Sequence, residues 1–172
     1  MEKVTLASKI TEVARLSGQF VLRSGATSTT YFDKYQFESD PELLSAIAQH
    51  LLPIIPEDTE LLAGLELGGV PVATALSSAS GIPAVFVRKA AKEYGTAKLA
   101  EGPNIEGKRL LVVEDIVTSG GQVVLSTNDL RELGAIVESA VCVIDREQGG
   151  TEALADANIG LSALFTRGDL ES

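Results

Sequence analysis

Two periods of apolar residues run through this chain, one helical and one extended, and they take turns. Along residues 3–17 the apolar positions Val4, Leu6, Ile10, Val13, Ala14 and Leu16 recur at roughly helical spacing, which predicts a helix closed by Gly18. Short, nearly continuous apolar runs at Leu61–Leu65, Pro83–Val87, Leu110–Val113, Ile136–Ile144 and Leu161–Phe165 predict buried strands. Helical patterns lie between them: Pro41–Leu52, with Asp40 as N-cap and Pro41 in the first position, Pro71–Ser80 ending at Gly81, Gln122–Leu133 closed by Gly134, and a short Thr151–Ala157. Residues 88–107 show no clean period and contain Gly95, Gly102, Pro103 and Gly107, so they read as a long loop. Strands alternating with helices predict an α/β fold, with a central, mostly parallel sheet flanked by helices. The start does not fit the alternation. Phe20–Leu22 and Tyr31–Phe32 are short strand candidates around Ser24–Ser28, and residues 1–40 are expected to form an N-terminal helix and a small hood beside a core of residues 41–172. The whole, 1–172, reads as a single domain.

Composition narrows the function classes. The 172 residues are 45% apolar, enough for a sizeable core. The formal net charge of −10 speaks against broad nucleic-acid binding, which needs a basic surface. No signal-peptide pattern and no run of membrane-spanning length is present, so a cytoplasmic protein with no membrane partner is expected. The single cysteine, Cys142, sits in an apolar run and reads as a core residue. Four of the 14 Lys and Arg fall together, at Arg88, Lys89, Lys92 and Lys98. In so acidic a chain this local reversal points to an anionic ligand.

The chemistry concentrates in residues 110–122. A buried strand ends in Glu114 and Asp115, and ligands of open α/β sheets bind at that end of the strands. Adjacent strand residues face opposite ways, so the two acids are expected to do different jobs, one orienting sugar hydroxyls and the other near the ring or a metal-bound water. Ile116 and Val117 lead into Thr118, Ser119, Gly120, Gly121 and Gln122, a hydroxyl- and glycine-rich turn that opens a helix. Such a turn lets the backbone approach a phosphate, and helix N–H groups bind it. The Gly-Lys-Ser/Thr ending of a nucleotide P-loop is missing.

The 114–122 segment resembles the ribose-phosphate signature of the type I phosphoribosyltransferases, which take a sugar phosphate from phosphoribosyl pyrophosphate (PRPP). Three further segments are similar to the orotate phosphoribosyltransferases of that family: Leu22–Asp33, Arg88–Thr96 with Glu101-Gly102, and Asp145–Gly150. With Glu66–Pro71 they span most of the chain in the family's order. The resemblance implies the type I fold and transfer of phosphoribose to orotate in pyrimidine synthesis. It assigns PRPP to Arg88, Lys89, Lys92, Tyr94 and residues 114–122, and orotate to Arg23, Tyr31, Phe32, Thr118 and Arg146. Catalysis falls to Lys92 and Asp115. The expected cofactor is Mg2+, held by PRPP and water near Asp115 and not by direct protein ligands. A homodimer is implied, with loop 88–103 reaching the neighbouring site.

Elementary chemistry is consistent with these roles. A guanidinium grips the carboxylate of a flat, anionic pyrimidine with two hydrogen bonds, although a surface pair with Asp145 or Glu147 is the simpler reading of Arg146 alone. Aromatic rings pack on the pyrimidine face, and for Phe32 plain core packing is equally open. Loop cations answer the charge of departing pyrophosphate, and a lid excludes water. Two positions depart from relatives: Tyr94 stands where histidine is frequent, and Gly68 where some carry lysine. His50, on the helix 41–52, reads as structural. A transferase for another base, or a non-catalytic PRPP-binding regulator, are the alternatives.

Overall fold

The computed structural model describes residues 1–21, 25–90 and 98–171. Helix α1 (Lys3–Ala14) runs directly into strand β1 (Arg15–Val21), which pairs antiparallel with β2 (Thr27–Phe32). Gly18 therefore does not close the helix as its spacing predicts. The turn to extended backbone comes at Arg15, and the N–H of Asp33 donates to the carbonyl of Ala14 at 2.8 Å, fixing where hairpin and helix meet. The register shifts between Ser17 and Phe20, placing Gly18 in a β-bulge. A single turn, α2 (Tyr35–Glu38), follows, then α3 (Pro41–Leu51), continued by a 3-10 turn at Leu52–Ile54. Asp40 caps α3 as expected, accepting from the N–H groups of Glu42 at 2.9 Å and Leu43 at 3.1 Å.

The core elements are β3 (Leu61–Leu65), α4 (Gly69–Ser80), β4 (Ala84–Val87), β5 (Ala100–Glu101), β6 (Arg109–Val117), α5 (Gly121–Glu132), β7 (Ile136–Asp145), α6 (Gly150–Asp156), β8 (Gly160–Thr166) and α7 (Arg167–Glu171). One six-stranded sheet has the order β5-β4-β3-β6-β7-β8, parallel except for β5. The expected loop 88–107 thus contains a short edge strand, β5, where Glu101 and Ala100 pair with Phe86 and Val87. A two-residue strand has too little sequence to show a period. Strand β6 also outruns its apolar core. Glu114, Ile116 and Val117 pair on with Cys142, Ile144 and Asp145, because the backbone ladder does not depend on side-chain polarity.

Side chains alternate across this sheet. Leu62, Leu111, Val113, Val141 and Val143 face a core shared with Leu6, Ile10, Phe37, Ile47 and Leu76, beneath α1, α3 and α4. Leu61, Ala63, Leu65, Leu110, Val112 and Cys142 face the other core, with Val123, Leu130 and Leu154 of α5 and α6. Each fully buried Leu, Ile or Phe side chain is worth about 1.5–3 kcal/mol, so covering both faces stabilises the sheet substantially. Burial pushes the Cys142 thiol up, as a core residue requires. His50 lies on α3 against the carbonyl of Met1, 2.9 Å away.

Candidate active site

Strand order reverses between β3 and β6: the chain moves outward through β4 on one side and through β7 and β8 on the other. The crevice beyond the carboxyl ends of β3 and β6 is therefore the natural binding place. Turn 66–68 and residues 114–122 meet there, and the hood hangs over it.

Two cavities open at this point. The larger, about 870 Å³, is lined by Tyr31 and Phe32 from β2, by Thr118, and by Arg146, among others. The Arg146 guanidinium stands 5.5 Å from the centre of the Phe32 ring. Its neighbouring acids are directed elsewhere. Asp145 accepts from the N–H of Glu147 at 2.9 Å and the hydroxyl of Thr151 at 3.0 Å, and Glu147 accepts from the N–H of Gly168. Phe32 packs on Phe37 at 6.5 Å as well as lining the cavity, so it serves core and site together. Tyr31 lies 5.5 Å from Phe20 and is half exposed to the cavity side.

The smaller cavity, about 250 Å³, is lined by Lys34, Tyr35, Glu66, Leu67, Lys89, Glu114, Asp115, Ile116 and Gln122. Ile116 lines both cavities. The two acids do not part company as strand alternation predicts. The Glu114 carboxylate folds back to accept from the N–H of Asp115 at 3.0 Å, so both line the same space. Asp115 is fully buried; its Oδ1 accepts from the N–H of Ile116 at 2.6 Å, and its Oδ2 meets the ammonium of Lys34 at 2.5 Å. Glu38, on α2, is buried beside it.

Electrostatics sort these acids. Burial pushes Glu38 up to about 9, reinforced by the Asp115 carboxylate beside it, and burial likewise holds Glu114 well above the usual carboxylate range. Burial also works to raise Asp115, but bonds from Glu38, Glu114 and Lys34 outweigh it and leave that carboxyl below its ordinary value. Burial works to lower Lys34, and Asp115 together with the neighbouring acids more than compensates, so its ammonium is retained. At neutral pH the Lys34–Asp115 ion pair thus lies beside a Glu38 that keeps its proton, and a raised Glu114 adds less negative charge than an ordinary carboxylate would.

The turn after β6 leaves the N–H groups that open α5 without a side-chain cap. Gly120 takes φ 77° at the N-cap of α5, a conformation that favours glycine. A Cβ on Gly120 would lie 2.5 Å from Leu154, and one on Gly150 would lie 2.6 Å from the Thr118 carbonyl. The turn is thus pressed against the start of α6, a contact the Thr-Ser-Gly-Gly spacing does not disclose. Lys89 reaches the smaller cavity, its N–H donating to Glu66 at 3.1 Å, whereas Arg88 turns to Glu101 at 3.4 Å. Arg23, Lys92 and Tyr94 lie outside the described residues.

Residues 39–164 match the phosphoribosyl transferase domain. The orotate phosphoribosyltransferase of a Nocardioides species is 51% identical over 168 residues, covering 98% of this chain and 94% of that protein. The chain belongs to the orotate phosphoribosyltransferase family. The orotate phosphoribosyltransferase of Halobacterium salinarum is 50% identical over 153 residues, covering 89% of this chain and 87% of its own. Among solved structures, the Mycobacterium tuberculosis orotate phosphoribosyltransferase in complex with PRPP superimposes with a TM-score of 0.84 at 27% identity, covering 99% of both chains. A Corynebacterium diphtheriae phosphoribosyltransferase gives 0.87 at 31% identity, with 99% and 98% covered. The fold is accordingly that of the type I family: a mostly parallel six-stranded sheet flanked by helices, with an antiparallel hairpin at the amino end.

Against this family background Gly68 gains a reason. Where some members carry lysine, a Cβ on this chain would lie 1.7 Å from Asp115 Oδ2 and 3.0 Å from Glu38 Oε1. Asp115 and Glu38 occupy the space a side chain would need. Lys34 and Glu38 are the residues the sequence pattern does not single out, and their only signal is adjacency to the Tyr31-Phe32 pair.

Proposed function

We propose that this chain transfers the phosphoribosyl group of PRPP to orotate, giving orotidine 5′-phosphate and pyrophosphate in pyrimidine synthesis, with the base in the larger cavity and the ribose in the smaller. The observation that carries the site reading is the Arg146 guanidinium set over Phe32 at 5.5 Å, in a cavity that shares Ile116 with the acid-lined one. Arg146 grips the orotate carboxylate, and Phe32 and Tyr31 flank the ring. Arg23 and Thr118 complete the base site. Residues Thr118–Gln122 hold the 5′-phosphate on the N–H groups that open α5. Glu114 and Asp115 orient the ribose hydroxyls.

The C1–oxygen bond to pyrophosphate breaks, the orotate ring nitrogen bonds to C1, and the leaving group departs with the electron pair. Lys92 is the main cation for that charge, with Lys89, Tyr94 and Arg88 beside it, once Arg88 leaves Glu101. The donor set fits magnesium carried by the substrate: Asp115 is engaged by Lys34, while phosphate oxygens suit a hard cation with few protein ligands. When bound, magnesium neutralises phosphate charge. A homodimer whose 88–103 segment serves the neighbouring site, and a cytoplasmic location, belong to the same reading. No described helix is long and apolar enough to cross a membrane.

With PRPP and magnesium the purified protein should consume orotate, read as loss of its ultraviolet absorbance, and release pyrophosphate. Chelation should stop turnover and added magnesium restore it. Turnover of uracil or hypoxanthine with none of orotate would overturn the assignment.

A further inference from the structure

We infer that Lys34 is a positioning residue for the transfer: by pairing with Asp115 it holds that carboxylate, and the hood above it, in place for the ribose of PRPP. Lys34 lies just before α2, between the aromatic pair of β2 and the buried Glu38. Its side chain is 32% exposed, whereas that of Asp115 is 1% exposed, so the ammonium reaches inward from the surface to a buried partner. Along the way it lies 5.4 Å from the centre of the Tyr35 ring. Both residues line the smaller cavity, whose other charged or titratable walls are Tyr35, Glu66, Lys89 and Glu114.

Three features make the pair more than a surface contact. A carboxylate in so dry a place needs a partner, since an uncompensated buried charge costs several kcal/mol. Asp115 is crowded by two further acids, Glu38 from α2 and Glu114 from its own strand, and Lys34 is the cation that meets it among the described residues. The turn on its far side is backbone alone at Gly68, where no side chain fits. The hood therefore supplies the cation that pairs with Asp115, while Lys89, after β4, lines the same cavity. The pair also links two parts of the site that lie far apart in sequence: the segment carrying Tyr31 and Phe32, which faces the base, and the strand carrying Asp115, which faces the sugar.

This inference rests on the assignment of Asp115 to the ribose, and a double-mutant cycle separates the two. Steady-state kinetics would be measured for Lys34→Met, Lys34→Arg, Asp115→Asn and the Lys34→Met/Asp115→Asn pair, each checked for folding by thermal unfolding. Lys34→Met is expected to raise the KM for PRPP about tenfold or more while changing the orotate KM less than about twofold, and Lys34→Arg to recover most of that loss. In the Asp115→Asn background, Lys34→Met should add little, since its partner is already gone. A fully additive double mutant, or equal losses for both substrates that follow a fall in melting temperature, would overturn the inference. If Asp115→Asn raises the PRPP KM and Lys34→Met does not, the inference alone fails. If Asp115→Asn leaves PRPP binding unchanged, the ribose assignment fails with it.

Discussion

Replacing Glu38 with glutamine should make the protein more stable at neutral pH, against the usual expectation for a buried polar change. Glu38 is 5% exposed, and burial beside Asp115 holds its proton until about pH 9, whereas an unfolded glutamate releases it near 4.5. Between those values the folded state binds the extra proton. Stability from this group is therefore complete below pH 4.5 and is lost progressively as pH rises toward 9. Each pH unit within the window is worth about 1.4 kcal/mol, so at pH 7 the folded state has forgone about 3 kcal/mol relative to acid conditions. Glutamine is neutral throughout and close to glutamate in size. Guanidinium unfolding at pH 5, 6, 7 and 8 would give the two profiles. The gain of Glu38→Gln should be small at pH 5 and grow to about 3 kcal/mol near pH 7. Glu114 shifts in the same direction but is present in both proteins, so the difference between the profiles reports Glu38 together with its coupling to Asp115 and Glu114. Parallel profiles would refute the reasoning, because they would mean that Glu38 titrates alike in folded and unfolded chains.

Two substitutions probe other parts of the account. Lys92→Ala should lower kcat about 100-fold or more while leaving orotate binding, measured by equilibrium titration, nearly unchanged; an unaltered kcat would remove Lys92 from the reaction. Gly68→Ala places a Cβ 1.7 Å from Asp115 Oδ2, so the KM for PRPP should rise and stability fall by about 1–3 kcal/mol; a variant with wild-type kinetics and melting would show that the turn yields easily.

Much of the fold is legible in the chain because its strands are buried on both faces. Leu61–Leu65 and Ile136–Ile144 read as nearly continuous apolar runs, broken in the second only by Glu138 and Ser139, and Asp40-Pro41 announces α3 through cap chemistry. What is not legible has specific physical causes. The Arg15–Ser17 stretch pairs with Thr30–Phe32, and cross-strand pairing leaves no mark on local helical spacing. Strand β5 and helix α7 are too short to carry a period. In the site, the segments 114–122 and 145–150 can be read because their residue types are unusual in sequence. Lys34 and Glu38 escape notice because their meaning lies in one long-range encounter with Asp115, and a lone Lys and Glu near a turn resemble any solvated pair. The parting of Glu114 and Asp115 fails for a related reason: a glutamate is long enough to fold back over its own strand.

The most direct test of the central claim is the specificity constant for orotate against uracil, with PRPP and magnesium saturating, in the natural protein and in Arg146→Ala. Uracil lacks only the carboxylate. The natural protein should prefer orotate by at least about 100-fold, and Arg146→Ala should erase most of that preference by raising the orotate KM while leaving the KM for PRPP within about twofold. A preference that survives the loss of Arg146, or equal loss for both substrates, would contradict the reading of this cavity as the place where the base is recognised.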